Sequence, residues 1–302
     1  MQNKNLLIII ILPFFLFVSC DKKEIFSPNK YIETESYQSG ASSLEVEKRF
    51  VYSEKEQLIS LWLRDGNTTL TFEYNKDKTI KKITSSENDE ATYAILFYEN
   101  KLITQIQYYE GNQLAMESIF SRKEKKNTIN KIENYVYVDF SFPKKKNILA
   151  DLLFTEMKNV PKTAHKNHKS GEKSLFYVLD ITYENDNIFR VRLSYFDNDK
   201  AIVYSVSTYT YDDMKNPYYG LPYAIFELTG YSKNNVKYVT TSLENDKYKT
   251  MFTIDNNYSY EKKYPVYKSV TESENYIIGY DTSNKPIFTT ISQYSAYYYT
   301  YR

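Results

Sequence analysis

Tyr209-Thr-Tyr-Asp-Asp-Met-Lys-Asn-Pro-Tyr-Tyr-Gly-Leu221 carries a pattern that recurs along this sequence. It predicts a strand that ends in aromatic residues, then an acidic turn at Asp212 and Asp213, and then an exit marked by Pro217 and Gly220. Asp and Asn favour turns because their side chains hydrogen-bond nearby backbone groups. Weaker copies of the pattern occur at Phe72–Lys78, Phe97–Lys101, Tyr108–Asn112, Thr182–Asn187, Tyr195–Lys200 and Gly279–Lys285. This repetition predicts serial β-hairpins.

The spacing of apolar residues predicts a mainly all-β fold: an extended, curled antiparallel sheet of serial β-hairpins with one short helix. Strand-like runs recur about every 10–13 residues, and the connectors are short and rich in turn residues. Asp65-Gly66, between two such runs, is the strongest hairpin signal. Eight predicted runs precede the helix, at Leu44–Tyr52, Leu58–Arg64, Thr68–Tyr74, Thr79–Ser85, Thr92–Tyr98, Leu102–Tyr109, Leu114–Ser121 and Thr128–Val138. Ten predicted runs follow it, at Leu175–Tyr183, Ile188–Tyr195, Ala201–Tyr211, Tyr223–Tyr231, Val236–Leu243, Lys249–Ile254, Tyr258–Tyr264, Val266–Ser273, Tyr276–Tyr280 and Pro286–Tyr301.

Residues 144–160 depart from the strand pattern. Their apolar members follow the spacing of one helical face and are Ile148, Leu149, Leu152, Leu153 and Met157. Pro161 ends the run, so this is the one helix predicted after the N-terminus. We expect it to cover one face or end of the sheet. A basic loop at 162–173 follows it, so a half-boundary near 144–173 would separate two half-sheets, although one continuous sheet is equally simple.

The N-terminus predicts a lipoprotein signal peptide over residues 1–19. Its apolar run, Leu6–Val18, is shorter than the about 20 residues that a spanning helix needs. Leu16-Phe-Val-Ser-Cys20 resembles a bacterial lipobox, which makes Cys20 the predicted lipidation site and a membrane the predicted partner. The alternative is an ordinary signal peptide with a free cysteine. Polar residues 20–43 predict a flexible tether, and 44–302 the β-hairpin-repeat domain.

Composition excludes several classes of function. The 39 basic and 38 acidic residues create no overall field that would attract nucleic acid. Only seven glycines are present, which argues against loops that cradle phosphates, and no cofactor is predicted. The single cysteine, Cys20, excludes an internal disulfide, so burial and hydrogen bonding must hold the domain together. The sequence also has no P-loop and no Gly-x-Ser-x-Gly elbow.

Tyrosine is the compositional outlier, with 33 of 302 residues. One interpretation is structural, because aromatic pairs across neighbouring strands stabilise a sheet. The other is an exposed aromatic platform that stacks against sugar rings or a partner's surface. Tyr218 and Tyr219 lie in a longer connection beside Pro217 and Gly220, so we expect this pair to be exposed and to contact a ligand.

Three kinds of polar cluster are candidates for chemistry. His165 and His168 have the spacing of two metal ligands on a helix, but they lie among lysines that repel a cation. Carboxylates for calcium occur in Asp212–Asp213, Asp197–Asp199 and Glu184–Asp186, but without the calcium-loop pattern, and turn formation explains them better. A glycosidase needs two carboxylates about 5–9 Å apart, and the sequence singles out no such pair. No metal site is therefore predicted.

The lipobox, the serial hairpins and the run Tyr209–Leu221 together resemble a family of uncharacterised Bacteroidota lipoproteins. In that family a Tyr-Asp-Asp-x-x-Asn-Pro-aromatic-x-Gly-Leu segment recurs late in an extended β-fold. The hairpins are also similar to the YD-type repeats of bacterial cell-surface proteins, in a degenerate form. The resemblance implies anchoring at the surface or in the periplasm and implies no established activity.

The residues after the cysteine, Asp21-Lys-Lys-Glu24, resemble the export signal that sends Bacteroidota lipoproteins to the outer face of the outer membrane. The expected location is therefore the cell surface rather than a periplasm-facing anchor. The predicted function is that of a binding or accessory module for a glycan or an envelope protein. Two alternatives stay open: a structural envelope scaffold, and a glycoside-type hydrolase. Two facing carboxylates in a cleft would favour the hydrolase.

Overall fold

The computed structural model describes residues 30–86, 92–123, 128–137, 148–154, 173–197, 200–244, 251–283 and 285–302. The strands are β1 (Ile32–Ser39), β2 (Glu45–Tyr52), β3 (Leu58–Leu63), β4 (Thr68–Tyr74), β5 (Ile80–Ser85), β6 (Thr92–Glu99), β7 (Leu102–Glu110), β8 (Gln113–Arg122), β9 (Ile129–Tyr137), β10 (Lys173–Glu184), β11 (Asn187–Asp197), β12 (Lys200–Lys215), β13 (Asn234–Leu243), β14 (Met251–Glu261), β15 (Tyr264–Tyr280) and β16 (Pro286–Tyr301). Helix α1 spans Ile148–Leu153, and 3-10 turns lie at Asp65–Asn67, Pro222–Ile225 and Leu228–Tyr231. The predicted signal peptide and Cys20 lie outside the described residues.

The sixteen strands form one antiparallel sheet in which each strand pairs with the next along the chain. Strand β16 then pairs with β1, from Ile32 opposite Tyr301 to Ser39 opposite Ser295, and this pairing closes the sheet into a barrel. The prediction of an all-β antiparallel fold of hairpins with one short helix is confirmed. Closure is the new feature. It pairs the two terminal strands over Ile32–Ser39 and Ser295–Tyr301, whereas residues 286–294 of β16 extend beyond β1.

Strand β1 lies in the segment that the sequence predicts to be a tether. Residues 20–29 lie outside the described residues, but Ile32–Ser39 pairs with both β2 and β16. Ile32 and Glu35 are almost completely buried, so this strand belongs to the barrel. Its polar composition does not predict a strand. Ile32–Ser39 becomes a strand because it pairs with two neighbours, one of which, β16, lies at the far end of the chain.

Strands β9 and β10 answer the question of one sheet or two. They pair directly, from Lys173 opposite Tyr137 to Asp180 opposite Lys131. The residues of the expected half-boundary near 144–173 therefore connect two neighbouring strands of one continuous sheet. Most of that connection, including the basic loop with His165 and His168, lies outside the described residues.

Tight turns set the register of the hairpins. Three of them turn on two residues that both have positive φ: Asn100-Lys101, Asn185-Asp186 and Lys262-Lys263. Two such residues in succession are typical of the type I′ turn, whose twist matches that of the flanking strands. Asn and Asp tolerate positive φ and are recognisable in the sequence. Lysine has no such preference, so the turn at Lys262-Lys263 is not recognisable in the sequence. The sequence instead predicts a break between strands at Pro265, but Pro265 lies within β15 opposite Tyr260.

Two further predicted breaks are wrong. The runs predicted at 249–254 and 258–264 belong largely to the single strand β14, and those predicted at 266–273 and 276–280 to β15. Asn256 and Asn257 resemble turn residues in the sequence. However, the buried Asn256 side chain donates from Nδ2 to the Val236 carbonyl oxygen of β13 at 3.0 Å, which fixes it within the sheet.

The strand predicted at 223–231 is also wrong. Residues 216–233, between β12 and β13, form the two 3-10 turns and are termed the inner segment. Gly220 has a φ of +84°, which residues with a Cβ rarely adopt. A Cβ on Gly230 would lie only 2.7 Å from the Cα of Ala224, so this backbone packs against itself rather than beside another strand.

Helix α1 and the inner segment contribute to the hydrophobic core. Ile148, Leu149 and Ala150 are buried, and the ring centroid of Phe154, just after the helix, lies 6.3 Å from that of Tyr108 on β7. The ring of Phe226, in the inner segment, lies 6.5 Å from that of Phe72 on β4. The predicted helix therefore exists at Ile148–Leu153 and covers the sheet, while Met157 lies outside the described residues. None of the helices in the described ranges has the length and apolar character needed to cross a membrane.

Many of the tyrosines form the predicted cross-strand pairs. Tyr93 and Tyr109 face each other on β6 and β7 and stack with ring centroids 4.9 Å apart. Tyr267 and Tyr298 do the same on β15 and β16, in an edge-to-face arrangement at 5.1 Å. Each such pair contributes about 0.2–1 kcal/mol. Stabilisation of the sheet is therefore a sufficient explanation for these paired tyrosines.

Candidate functional site

A cavity of about 210 Å³ lies between the inner segment and strands β13 to β16, and is termed the central cavity. Its lining combines aromatic rings with carboxylates, amides and an amine, as well as a few aliphatic side chains. The lining residues are Asn216, Pro217, Tyr218, Glu227, Thr229, Asn235, Val236, Val239, Ile254, Asn256, Tyr258, Lys268, Val270, Glu272, Tyr297 and Tyr299. One wall thus comes from a non-strand connection and the other from the sheet itself.

Asn216 holds the inner segment in place. Its Nδ2 donates to the carbonyl oxygens of Thr229 and Ser232, both at 2.9 Å, and its Oδ1 accepts from the backbone N–H of Tyr218 at 3.0 Å. Its own N–H donates to the carbonyl oxygen of Lys233 at 3.1 Å. Asn216 is 8% exposed, so these bonds satisfy buried backbone groups that no strand neighbour could serve. Asn216, which belongs to the run Tyr209–Leu221, is therefore a structural clamp.

Tyr211 and Ser232 form a second clamp, which joins the inner segment to strands β11 and β12. The Tyr211 hydroxyl lies 2.7 Å from the carbonyl oxygen of Ile188, to which it donates, and 2.9 Å from Ser232 Oγ. Ser232 Oγ in turn accepts from the N–H of Ile188 at 3.0 Å. Burial raises the pKa of Tyr211 to about 12, although its bond with Ser232 acts in the opposite direction.

Asp212 and Asp213 lie in strand β12 and not in the acidic turn that the sequence predicts. The pairing with β13 shifts between Tyr211 and Lys215, so this part of the strand bulges. Asp212 Oδ1 accepts from the N–H groups of Met214 at 2.9 Å and Asn235 at 3.3 Å, and Oδ2 accepts from the Tyr260 hydroxyl. Burial and this bond to a carboxylate raise the pKa of Tyr260. The carboxylate therefore stabilises the bulge.

A charged cluster lies beside the central cavity. Lys48 Nζ, on β2, lies 2.9 Å from Glu35 Oε1 of β1 and 3.5 Å from Glu227 Oε1 of the inner segment. The same ammonium lies 5.5 Å from the centre of the Tyr218 ring, which is within the range of a cation–π contact. The other carboxylate oxygen of Glu35 is buried and has no hydrogen-bond partner among the described residues.

Lys268, on β15, is the amine that lines the cavity. Its Nζ lies 4.0 Å from the centre of the Tyr297 ring. Burial lowers the pKa of Lys268, and the nearby carboxylates of Glu35 and Glu227 oppose this only in part. Burial, followed by the charge of Glu35, raises the pKa of Tyr297 to about 12. The cavity therefore offers ring faces, hydroxyl groups and a weakly compensated amine in a confined space.

The structure separates the two predicted contact residues. Tyr218 is only 9% exposed and lines the central cavity, which corrects the expectation that it lies on the outside. Tyr219 is half-buried and does not line this cavity. Tyr218 is held inward by Asn216, whose Oδ1 accepts from the Tyr218 N–H and whose Nδ2 donates to Thr229 and Ser232 across the segment. Contact of either tyrosine with a ligand stays a prediction.

The sequence does not indicate the charged residues in and beside the cavity. Glu35 lies in the predicted tether, Glu227 in the wrongly predicted strand, and Lys48 and Lys268 in strands that contain other charges. No spacing or motif connects them, because they meet only when the barrel closes.

A second cavity, of about 200 Å³, lies on the other side of the inner segment, and Glu227 and Thr229 border both cavities. Leu152 and Leu153 of α1 are among its lining residues. Of the other predicted candidates, Glu184 and Asp186 belong to the β10–β11 hairpin turn, whereas Asp199 and both histidines lie outside the described residues. No group of three or more His, Cys, Asp or Glu side chains in the described ranges is arranged to hold a metal ion.

Neither protein families nor curated proteins match this sequence. Sixteen chains of solved structures match the fold. One of these structures is the crystal structure of TcdB2-TccC3-Cdc42, with a TM-score of 0.33 and 10% sequence identity. The alignment covers 86% of this chain but only 13% of that chain. It is a distant match to a shell-like β structure with YD-type repeats, and it assigns no family. A TM-score this low establishes neither function nor kinship.

Proposed function

We propose that this chain is a lipid-anchored cell-envelope lipoprotein that binds one sugar unit of a glycan in its central cavity. The observation that carries this proposal is the lining of the cavity, where tyrosine rings lie beside one amine and two carboxylates. Membership in the Bacteroidota lipoprotein family that the sequence resembles, and display at the cell surface through a lipid on Cys20, are part of the same proposal.

The chemistry of the lining favours a sugar over other small molecules. Sugar rings present C–H faces that pack on aromatic rings, and Tyr218, Tyr297 and Tyr299 supply such rings. Sugar hydroxyl groups both donate and accept, which suits a wall that contains Lys268 and Glu227 together. Because the Lys268 amine and the carboxylates of Glu227 and Glu272 line the same cavity, it has no single sign of charge that would select a simple ion.

The volume limits the size of the ligand. Pockets that hold drug-sized molecules measure about 300–1,000 Å³, and the central cavity measures about 210 Å³. It therefore suits one ring rather than an oligosaccharide, and the remainder of a glycan would extend outside. Binding by a single ring is weak, so the expected dissociation constant for a monosaccharide is in the range of about 0.1–1 mM.

Titration calorimetry of the purified protein with neutral, amino and acidic monosaccharides tests this function. We expect saturable binding of at least one of these sugars, and we expect Tyr218→Leu to weaken it about tenfold. Tyr219→Leu is the matched control, because it removes the neighbouring ring from outside the cavity. Circular dichroism verifies that both variants fold. If no sugar binds to the folded protein, or if the two variants behave alike, the proposal is wrong and a purely structural scaffold is favoured.

A glycoside-type hydrolase is the second candidate, because two carboxylates meet near the cavity. Glu35 and Glu227 both contact Lys48 Nζ, so their Oε1 atoms are no farther apart than the sum of those two contacts, which is compatible with a catalytic pair. However, the ammonium bridges the two carboxylates, where the bond to be cleaved would have to lie. Chromogenic glycosides distinguish the two functions: release of the chromophore by the wild-type protein, lost in Glu227→Gln, would establish hydrolysis.

A further inference from the structure

We propose that the exposed half of β16 is a dimerisation edge, and that it pairs in antiparallel orientation with the same edge of a second copy of this chain. This surface is separate from the central cavity and does not depend on the proposed sugar binding. It is defined by residues 286–294 and is termed the free edge.

The backbone of the free edge has an unpaired side. Strand β16 pairs with β15 along its whole length, but it pairs with β1 only from Ser295 to Tyr301. Within the described part of the chain, no strand lies against the other side of residues 286–294. Alternate N–H and C=O groups there face outward, and such a row of groups is a template for another strand.

The side chains of the free edge are unusually apolar for a surface. Phe288, Ile291 and Tyr294 are 55%, 52% and 67% exposed. On the paired strand β15, Ile278 and Tyr280 are also exposed, so the apolar surface spans both strands of the hairpin. Side chains alternate between the two faces of a strand, so Phe288 and Tyr294 lie on one face of the hairpin and Ile291 on the other. Exposed large apolar groups scattered singly are normal, whereas several of them along one strand mark an interaction site.

The absence of charge along the strand indicates the occupant. No residue from 286 to 301 is charged, whereas free edges that must avoid pairing usually carry lysine or another charge. Such an edge carries no charge that would attract an oppositely charged partner, and no charge that would repel an identical strand. An uncharged edge is thus complementary to a second copy of itself.

One register makes the free edge self-complementary. An antiparallel pair with Ile291 opposite the partner's Ile291 places Phe288 opposite the partner's Tyr294, and Tyr294 opposite the partner's Phe288. Thr290 and Ser292 fall opposite each other between these aromatic pairs. Directly opposite residues share a face with Cβ atoms about 4.5–5.5 Å apart, which is the distance at which aromatic pairs stabilise a sheet. The two-fold axis would pass through Ile291.

Thiol cross-linking tests the position of this axis. The full chain with Cys20→Ala and Ile291→Cys carries a single thiol, at the proposed axis. A short thiol-to-thiol cross-linker should convert it rapidly to a covalent dimer. The matched control is Ile59→Cys in the same background, because Ile59 is an exposed isoleucine of β3, away from the free edge. Equal cross-linking of the two variants would overturn the proposal.

Charge pairs test the register itself. In the double variant Phe288→Lys/Tyr294→Lys, like charges face each other twice, and we expect self-association to weaken by about tenfold or more. In Phe288→Lys/Tyr294→Glu, opposite charges face each other twice, and association should return. Sedimentation equilibrium over a range of concentrations measures both. A wild-type protein that stays monomeric throughout this range would refute the dimer. Co-sedimentation of the monomeric protein with phospholipid vesicles would also refute it.

Discussion

The side-chain amide of Asn216 donates a hydrogen bond to the carbonyl oxygen of Ser232 at 2.9 Å, and so joins the two ends of the inner segment. The same Nδ2 reaches the carbonyl oxygen of Thr229. A single side chain therefore closes a loop of non-strand backbone next to the central cavity. We expect the shape of the cavity to depend on this closure.

Replacing Asn216 should destabilise the whole barrel. Asn216→Ala leaves the carbonyl oxygens of Thr229 and Ser232 without this donor, and a buried unsatisfied group costs about 1–3 kcal/mol. We expect a loss of about 2–3 kcal/mol in the free energy of unfolding, measured by urea denaturation. Asn257→Ala is the control, because Asn257 is an exposed asparagine in β14, and a change within about 0.5 kcal/mol is expected there. Equal losses in both variants would refute the clamp.

Glycine at position 230 should be indispensable for close packing. In Gly230→Ala the new Cβ would lie 2.7 Å from the Cα and 2.9 Å from the Cβ of Ala224, so the backbone must shift. Overpacking of this kind costs about 1–3 kcal/mol, which thermal unfolding should report as a lowered Tm. Gly279→Ala serves as the matched control, since no atom lies within 4 Å of the Cβ it would add.

Adding Ala224→Gly to the Gly230→Ala variant refines that test. The second change removes the Cβ of residue 224 but leaves its backbone in place, so we expect only partial recovery of thermal stability. Full recovery would mean that the clash with the backbone of residue 224 does not cause the loss of thermal stability in Gly230→Ala.

Glu117 should contribute stability that is lost in acid. Its side chain is buried, with Oε2 lying 2.8 Å from Lys173 Nζ, and it accepts hydrogen bonds from Gln105 and Tyr137. Burial acts to raise the pKa of Glu117, but the bonds with Lys173, Tyr137 and Gln105 outweigh it and lower the pKa overall. A carboxyl group with a lowered folded pKa stabilises the fold above its unfolded pKa of about 4.3. This stability disappears as the pH falls through the folded value.

The corresponding measurement is the free energy of unfolding between neutral pH and mild acid. Glu117→Gln should be less stable at neutral pH and should show a shallower fall on acidification than the wild-type protein. Glu73→Gln, at an exposed position of β4, should reproduce the wild-type slope. A Glu117→Gln slope as steep as that of the wild-type protein would contradict the assignment.

Alkaline conditions should act on the buried tyrosines. Burial, followed by the charge of Glu35, raises the pKa of Tyr297 to about 12, above the about 10 of an unfolded tyrosine. The resulting stability is fully present below pH of about 10 and is lost as the pH rises through the folded value of about 12. We expect Tyr297→Phe to make unfolding less dependent on pH in this window. Tyrosinate absorbance and circular dichroism, followed together, measure it, and an unchanged dependence would refute the prediction.

Local patterns explain why most strands were predictable. In β4, Leu70 and Phe72 point inward while Thr71 and Glu73 are partly or fully exposed, and this alternation is visible in the sequence itself. Turns at Asn100-Lys101 and Asn185-Asp186 were predictable for the same reason, because Asn and Asp tolerate the required φ. The turn at Lys262-Lys263 was not, since lysine has no such preference.

The candidate site was predictable only in one residue. The sequence indicates an exposed position for Tyr218, whereas the structure buries it in the lining of the central cavity, and its contact with a ligand stays a prediction. Glu227 was hidden by an apolar pattern that resembles a strand, and Glu35 by polar neighbours that resemble a tether. Both patterns mislead because the burial of these side chains depends on other strands rather than on their own neighbours.

Alternation of apolar and polar residues and the choice of turn residues act over a few positions of the chain, so they predict the class of the fold, the order and approximate length of most strands, and the position of helix α1. Nothing local predicts the closure of β1 on β16, the inward course of residues 216–233 or the meeting of Glu35, Lys48 and Glu227. These features depend on contacts between residues far apart in the chain. Their free energy comes from burial that exists only when the whole barrel has closed.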